Sequence, residues 1–161
     1  MDVRDLKLKD KDKDYDMSCC MWTTYNYLSM DIDLKKFIKS VYNHQKEGGI
    51  LVLDSKNISR LEHHRLYNRY NEKDNLKMKI MVNKYVQNNI QNSQYFLFIN
   101  DEGKKKFFFD DEFIKFYTVD ELNNIVAGYY EIIDIYGDFD MNGYKEKTSN
   151  RFITVLKKYN F

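Results

Sequence analysis

The 161-residue sequence contains no proline, although turns commonly recruit that residue for its fixed φ. Glycine is scarce too. Its six positions, Gly48, Gly49, Gly103, Gly128, Gly137 and Gly143, form neither G-x-G nor G-x-x-x-x-G-K, so these residues hold no loop that could cradle a phosphate or dinucleotide. The only cysteines, Cys19 and Cys20, are adjacent. They cannot close a structural loop with each other, which points to a reducing compartment. Apolar runs such as Tyr95–Ile99 are far too short to span a bilayer. Charge of one sign is also missing: 26 Lys and Arg against 25 Asp and Glu leave +1. No global field draws the chain to nucleic acid or an anionic membrane. The opening MDVRDLKLKD is charged from its second residue, unlike a secretory signal peptide. Together these features predict a cytoplasmic protein with neither nucleic acid nor membrane as partner.

What is present suffices for a core. Hydrophobic residues make up 43% and aromatic residues 16%, which argues against wholesale disorder. The length suits one domain spanning 1–161. Residues 1–14 alternate Lys and Asp and read as a solvated arm. Tyr15–Trp22 is an apolar run of strand length. Leu34, Phe37, Ile38, Val41 and Tyr42 then recur at helical spacing, predicting an amphipathic helix capped by Asp31 or Asp33 and stopped at Gly48. Ile50–Asp54 is a continuous apolar run, as in a strand buried on both faces. Strand, helix and strand with short connections make a βαβ unit.

Residues 55–94 are polar and weakly periodic. Leu76, Met78, Ile80 and Val82 alternate like an antiparallel strand, whereas Ile80, Met81, Lys84 and Tyr85 also permit a helix. Asp101-Glu102-Gly103 sits between two strand-like runs, Tyr95–Asn100 and Lys105–Asp110, and predicts a hairpin. Thr118-Val119-Asp120-Glu121 has the form of a capping box, and Leu122, Ile125 and Val126 give its helix a buried face before Gly128. Tyr130–Tyr136 and Arg151–Lys158 read as two final strands.

The order of these elements and the residues at their junctions resemble the C-terminal part of a class I, Rossmann-like S-adenosylmethionine-dependent methyltransferase. In that family a "GDxRDL" segment precedes a fourth strand reading "FDxVxCxxxSxxYL". Here Asp2-Val3-Arg4-Asp5-Leu6 precedes Tyr15-Asp16-Met17-Ser18-Cys19-Cys20-Met21-Trp22, then Thr23-Thr24-Tyr25-Asn26-Tyr27-Leu28. The family's "LKxGGxxxxD" matches Gln45-Lys46-Glu47-Gly48-Gly49-Ile50-Leu51-Val52-Leu53-Asp54. Its "RxYTxxEL", "YGDF" and "SxRxIxVxxK" match the segments from Lys115, from Tyr136 and from Ser149 in turn. The matches are collinear over essentially the whole chain, and order with spacing makes individually weak motifs informative.

The resemblance implies an α/β fold: a partial Rossmann-like sheet holding strands 4-5-7-6 of the family order 3-2-1-4-5-7-6, with an antiparallel cap inserted at approximately 59–112. It implies S-adenosylmethionine as cofactor, a small-molecule methyl acceptor and no metal. The family's glycine-rich loop and its ribose-binding acid belong to strands ahead of this segment. The expected partner is therefore a separate N-terminal methyltransferase half, or a second copy joined along the edge of strand four, which is otherwise a pairing hazard.

The resemblance places Asp2 at the adenine amino group with Val3 beside it, and Cys20, Met21 and Trp22 along the adenosine and sulfonium. Trp22 either walls that pocket or fills the core. Tyr25, Asn26 and Tyr27 border the substrate or pack a loop. His63 and His64 could accept a proton during transfer, or lie on a solvated face. Lys104-Lys105-Lys106-Phe107-Phe108-Phe109 mimics a base-stacking stretch, but Asp110, Asp111 and Glu112 cancel its field and favour a cap strand. The other reading of the chain is a non-catalytic, methyltransferase-like binding or partner-stabilising protein.

Overall fold

The computed structural model describes residues 2–6, 15–73 and 76–159. The arm expected over residues 1–14 therefore lies largely outside the described residues. In chain order the elements are β1 (Tyr15–Cys20), α1 (Asp31–Tyr42), β2 (Gln45–Lys56), β3 (His64–Lys73), β4 (Leu76–Gln87), β5 (Ile90–Asp101), β6 (Lys104–Lys115), α2 (Val119–Val126), β7 (Tyr130–Tyr136) and β8 (Arg151–Lys158). They form two compact units: Met1–Leu61 with Lys115–Phe161, and Glu62–Ile114.

The first unit is built on a sheet of order β1-β2-β8-β7, the 4-5-7-6 arrangement expected from the sequence. β1 runs parallel to β2, while β8 is antiparallel to both of its neighbours. Leu34, Phe37, Ile38 and Val41 bury the expected face of α1 in one cluster with Leu51 and Leu53 of β2, Phe152 and Leu156 of β8, and Leu122, Ile125 and Val126 of α2. Each such side chain contributes about 1.5–3 kcal/mol of transfer free energy, so this cluster holds the unit together. The capping box forms: the Glu121 N–H donates to Thr118 Oγ1 at 3.2 Å and the Thr118 N–H to Glu121 Oε2 at 2.9 Å.

α1 departs from expectation at both ends. Met30 is its N-cap, and its side chain makes no cap hydrogen bond. Asp31 and Asp33 fall in the first turn, where they face the positive end of the helix dipole. The helix stops at Tyr42, well before Gly48, because Gln45 already joins the sheet opposite Tyr15. The Gln45 side chain is buried there, donating to the Ile50 carbonyl at 2.7 Å and accepting from the Tyr130 hydroxyl at 2.6 Å. Gly48 instead takes a left-handed φ of 69° inside β2, where the ladder shifts register between Tyr15 and Met17.

The second unit is a meander of order β3-β4-β5-β6. Residues 80–85 belong to β4, so the helical alternative is overturned: the ladder pairs Ile80 with Leu97 and Tyr85 with Asn92. Asn88 and Asn89 at φ 49° and 62°, and Glu102 and Gly103 at 49° and 86°, make two-residue turns of the primed kind that match strand twist.

Candidate functional site

β1 and β2 run parallel and end side by side, and the chain leaving β1 bends sharply. Trp22 and Thr23 both have left-handed backbones, at φ 60° and 65°, a conformation that costs non-glycine residues about 1–2 kcal/mol each. Asp54, at the matching end of β2, holds the bend. Its Oδ2 accepts the Trp22 N–H at 2.7 Å and its backbone carbonyl accepts the Thr23 N–H at 2.9 Å. The Thr24 hydroxyl closes the turn on the Met21 carbonyl at 2.6 Å.

Asp54 is fully buried, and a buried carboxylate needs a partner. Arg151, at the start of β8, supplies it through a two-pronged contact: Nε to Oδ1 at 2.8 Å and Nη2 to Oδ2 at 2.6 Å. The same guanidinium lies 5.9 Å from the Trp22 ring centre and 5.4 Å from that of Phe139, and the two rings are 5.7 Å apart. These are cation–π distances. Trp22 nevertheless remains 74% exposed. It does not fill the core; it presents an aromatic face to solvent above a buried ion pair.

Beyond the bend, a single 3-10 turn (Thr24–Tyr27) buries Tyr25 and Asn26. Tyr25 stacks on Tyr117 with ring centres 6.2 Å apart. Burial pushes its phenol well above the ordinary tyrosine value. Asn26 donates to the Lys115 carbonyl at 2.6 Å. Among the described residues the buried Tyr25 hydroxyl and Asn26 Oδ1 have no hydrogen-bond partner, two polar atoms that a ligand or water could satisfy. Tyr27 stands more than half exposed beside them.

β1 is an edge of its sheet. Along it runs a groove of about 370 Å³ lined by Val3, Leu6, Met17, Cys20, Phe37 and Leu51 among others. Val3 and Cys20, from separate segments, thus line one groove. Burial pushes the Cys20 thiol up to about 11, which leaves it protonated and a poor nucleophile near neutral pH. Asp2 does not line the groove. Arg4 grips both of its carboxylate oxygens, with Nη2 to Oδ2 at 2.6 Å, and reaches Asp33 at 3.3 Å. That pairing lowers the Asp2 carboxyl to about 2.

His63 and His64 belong to the other unit, where both are exposed. His64 Nε2 meets Asn83 Oδ1 at 3.2 Å and the His63 carbonyl accepts the Val86 N–H at 3.0 Å. Met21 is half-buried and enters the bend through its carbonyl. Sequence reasoning singles out neither Asp54 nor Arg151 as functional. The signal available was an acid closing a continuous apolar strand, ILVLD, which demands a distant cation. Among the described residues no three His, Cys, Asp or Glu side chains are grouped to hold a metal ion, and no helix is long and apolar enough to cross a membrane.

No family model and no curated sequence matches the chain. Solved structures do. A methyltransferase dependent on S-adenosylmethionine from Clostridium acetobutylicum superposes with a TM-score of 0.77 at 20% identity, covering 99% of this chain and 63% of that one. A sugar N-methyltransferase from Streptoalloteichus gives 0.78 at 14% identity, covering 99% and 61%. An amino pentose methyltransferase from Micromonospora echinaspora gives 0.69 at 16% identity, covering 98% and 63%. This is a methyltransferase fold. The chain spans less than two thirds of the length of these structures. Within the methyltransferase fold the bend at Trp22 stands at the carboxyl ends of parallel strands, where open α/β sheets bind ligands.

Proposed function

We propose that this chain is a subunit or fragment of an S-adenosylmethionine-dependent methyltransferase acting on a small molecule, with the glycine-rich cofactor loop supplied by a separate chain. The observation that carries the reading is the exposed β1 edge, with an apolar groove along its flank and an aromatic face at its carboxyl end. The residues present fit one part of the cofactor. The Val3–Cys20 groove suits a flat apolar base, and the Trp22 ring offers a π-face of the kind that attracts a cation. Ribose and methionine call for a glycine loop that this sequence lacks.

When bound, S-adenosylmethionine supplies an electrophilic methyl group. The chain's own residues then hold and orient: Asp54 and Arg151 fix the bend, the groove excludes water from one face, and Tyr25, Asn26 and Tyr27 border the acceptor. Catalysis in this reading comes from alignment and dryness. The sugar and amino pentose methyltransferases among the similar structures make a hydroxylated or amino-bearing small molecule the acceptor class to try first. Calorimetric titration with S-adenosylmethionine and S-adenosylhomocysteine tests this. Saturable one-to-one binding, alone or after adding an N-terminal methyltransferase half, supports it; silence in both settings overturns it.

The grip of Arg4 on Asp2 favours a second reading. A carboxylate already held by a cation is engaged before any adenine arrives, as in a non-catalytic, partner-stabilising relative. In a reconstituted complex Asp2→Ala weakens cofactor binding under the first reading and leaves it unchanged under the second.

A further inference from the structure

β6 forms one edge of the meander, and its first eight residues are all exposed. Phe107, Phe108 and Phe109 are each more than half accessible. A long, aromatic, uncovered edge is a surface for strand pairing. Its sequence is also ordered: Lys104-Lys105-Lys106, then Phe107-Phe108-Phe109, then Asp110-Asp111-Glu112. Three cations, three aromatics and three acids read as their own complement when the strand is reversed.

We propose that two copies of this chain associate by antiparallel pairing of β6 with β6 about a two-fold axis at Phe108, merging two four-stranded sheets into one of eight. In that register Lys104 faces Glu112 of the other copy, Lys105 faces Asp111, Lys106 faces Asp110, Phe107 faces Phe109, and Phe108 faces itself. The contact is isologous and closed. A parallel, in-register alignment sets lysine against lysine, which opposes association. A two-residue shift of the antiparallel register sets Phe107 and Phe108 against Asp111 and Asp110. Pairing with the other edge, β3, offers Arg65, Arg69 and Glu72, no block that complements β6, and propagates without closing.

The backbone parity agrees. The two-residue turn at Glu102-Gly103 makes Asp101 and Lys104 the closing pair, so Lys104, Lys106, Phe108 and Asp110 bond inward to β5. The odd-numbered groups then point outward. The Asp111 N–H, one of these, is taken up by Asp110 Oδ1 at 3.0 Å. A register centred on Phe108 sets odd residues against odd residues, so outward groups meet outward groups and the two Phe108 side chains form a close, non-hydrogen-bonded pair. Backbone bonds and phenylalanine burial supply affinity, while the charges fix register.

The full chain is expected to sediment as a dimer at tens of micromolar. The variant Lys104→Glu/Lys105→Glu/Lys106→Glu and the variant Asp110→Lys/Asp111→Lys/Glu112→Lys should each dimerise at least tenfold more weakly, and an equal mixture should regain dimers. Asp111 and Glu112 also accept bonds from Asn92 and Tyr95, so a second measurement covers loss of fold. With Cys19 and Cys20 replaced by serine, Phe108→Cys oxidises to a covalent dimer, whereas Phe107→Cys and Phe109→Cys do not. A monomeric wild type, full dimerisation by the folded lysine-reversal variant, or equal cross-linking at all three positions overturns the proposal.

Discussion

Arg151 and Asp54 are joined by two hydrogen bonds of 2.8 and 2.6 Å across 97 residues of sequence. The acid is fully buried and the Arg151 side chain is 14% exposed, so little water screens the pair. Removing one partner strands a charge. Asp54→Ala is expected to cost about 3–5 kcal/mol and to lower the thermal midpoint by roughly 10 °C for a chain of this size. Because Asp54 also holds the Trp22 N–H, the emission of this sole tryptophan should shift in the folded variant. An unchanged midpoint and spectrum would show that the contact is incidental.

The bend itself stores strain. Thr23, β-branched, sits at φ 65° with no side-chain cap bond, whereas asparagine tolerates that region. Thr23→Asn is therefore expected to stabilise the chain by about 1 kcal/mol. The check is a raised urea midpoint at unchanged slope.

Two adjacent thiols should behave differently. Cys19 is exposed, while burial pushes the Cys20 thiol up to about 11. Near pH 8 only about one Cys20 in a thousand is ionised. A maleimide should label Cys19 within seconds and Cys20 far more slowly, and Cys19→Ser should abolish the fast phase. Fast labelling that survives Cys19→Ser contradicts the assigned burial.

Asp2 provides a pH test. Its carboxyl is lowered to about 2, chiefly by the Arg4 hydrogen bonds, from an ordinary 3.8. A depressed carboxyl contributes stability that is present above the unfolded value and is lost as pH falls through the folded one. The contact should loosen between about pH 4 and pH 2 and be intact at neutrality. Carboxyl titration by NMR should find the midpoint near 2, returning towards 3.8 in Arg4→Ala.

Gly137 meets the closest steric limit. A β-carbon there would lie 2.2 Å from Ser149 Oγ, itself bonded to the Lys145 N–H at 2.8 Å. Gly137→Ala should destabilise by about 1–3 kcal/mol, a loss read in chemical denaturation and reduced by adding Ser149→Gly.

Much of the first unit was legible in its sequence. β7 and β8 begin and end where their apolar alternation does, and the Thr118–Glu121 box forms as spaced. Such signals are local, and local chemistry decides them. The end of α1 was not legible, because Gln45 leaves the helix for bonds to Ile50 and Tyr130, partners set by the tertiary fold. Residues 55–94 were hard to read since β3 is largely exposed and β4 is mostly half-buried on both faces, so neither face needs a steady apolar rhythm. The turn at Asn88-Asn89 was the cue available there. At the candidate site the apolar run Tyr15–Trp22 was readable, although β1 stops at Cys20 and leaves Met21 and Trp22 in the bend; the Asp54–Arg151 pair joins elements that only the folded sheet brings together.

The order of strands has a consequence for how the chain assembles. The meander pairs neighbours in sequence across short turns, whereas β2 meets β8 only after the 94 residues between Lys56 and Arg151 are brought round. Closing that span costs about 3 kcal/mol more chain entropy than closing a hairpin. Unit Glu62–Ile114 should therefore gain amide protection ahead of the sheet that surrounds it in sequence, and β8, the last of these strands in chain order, is the one that completes the core.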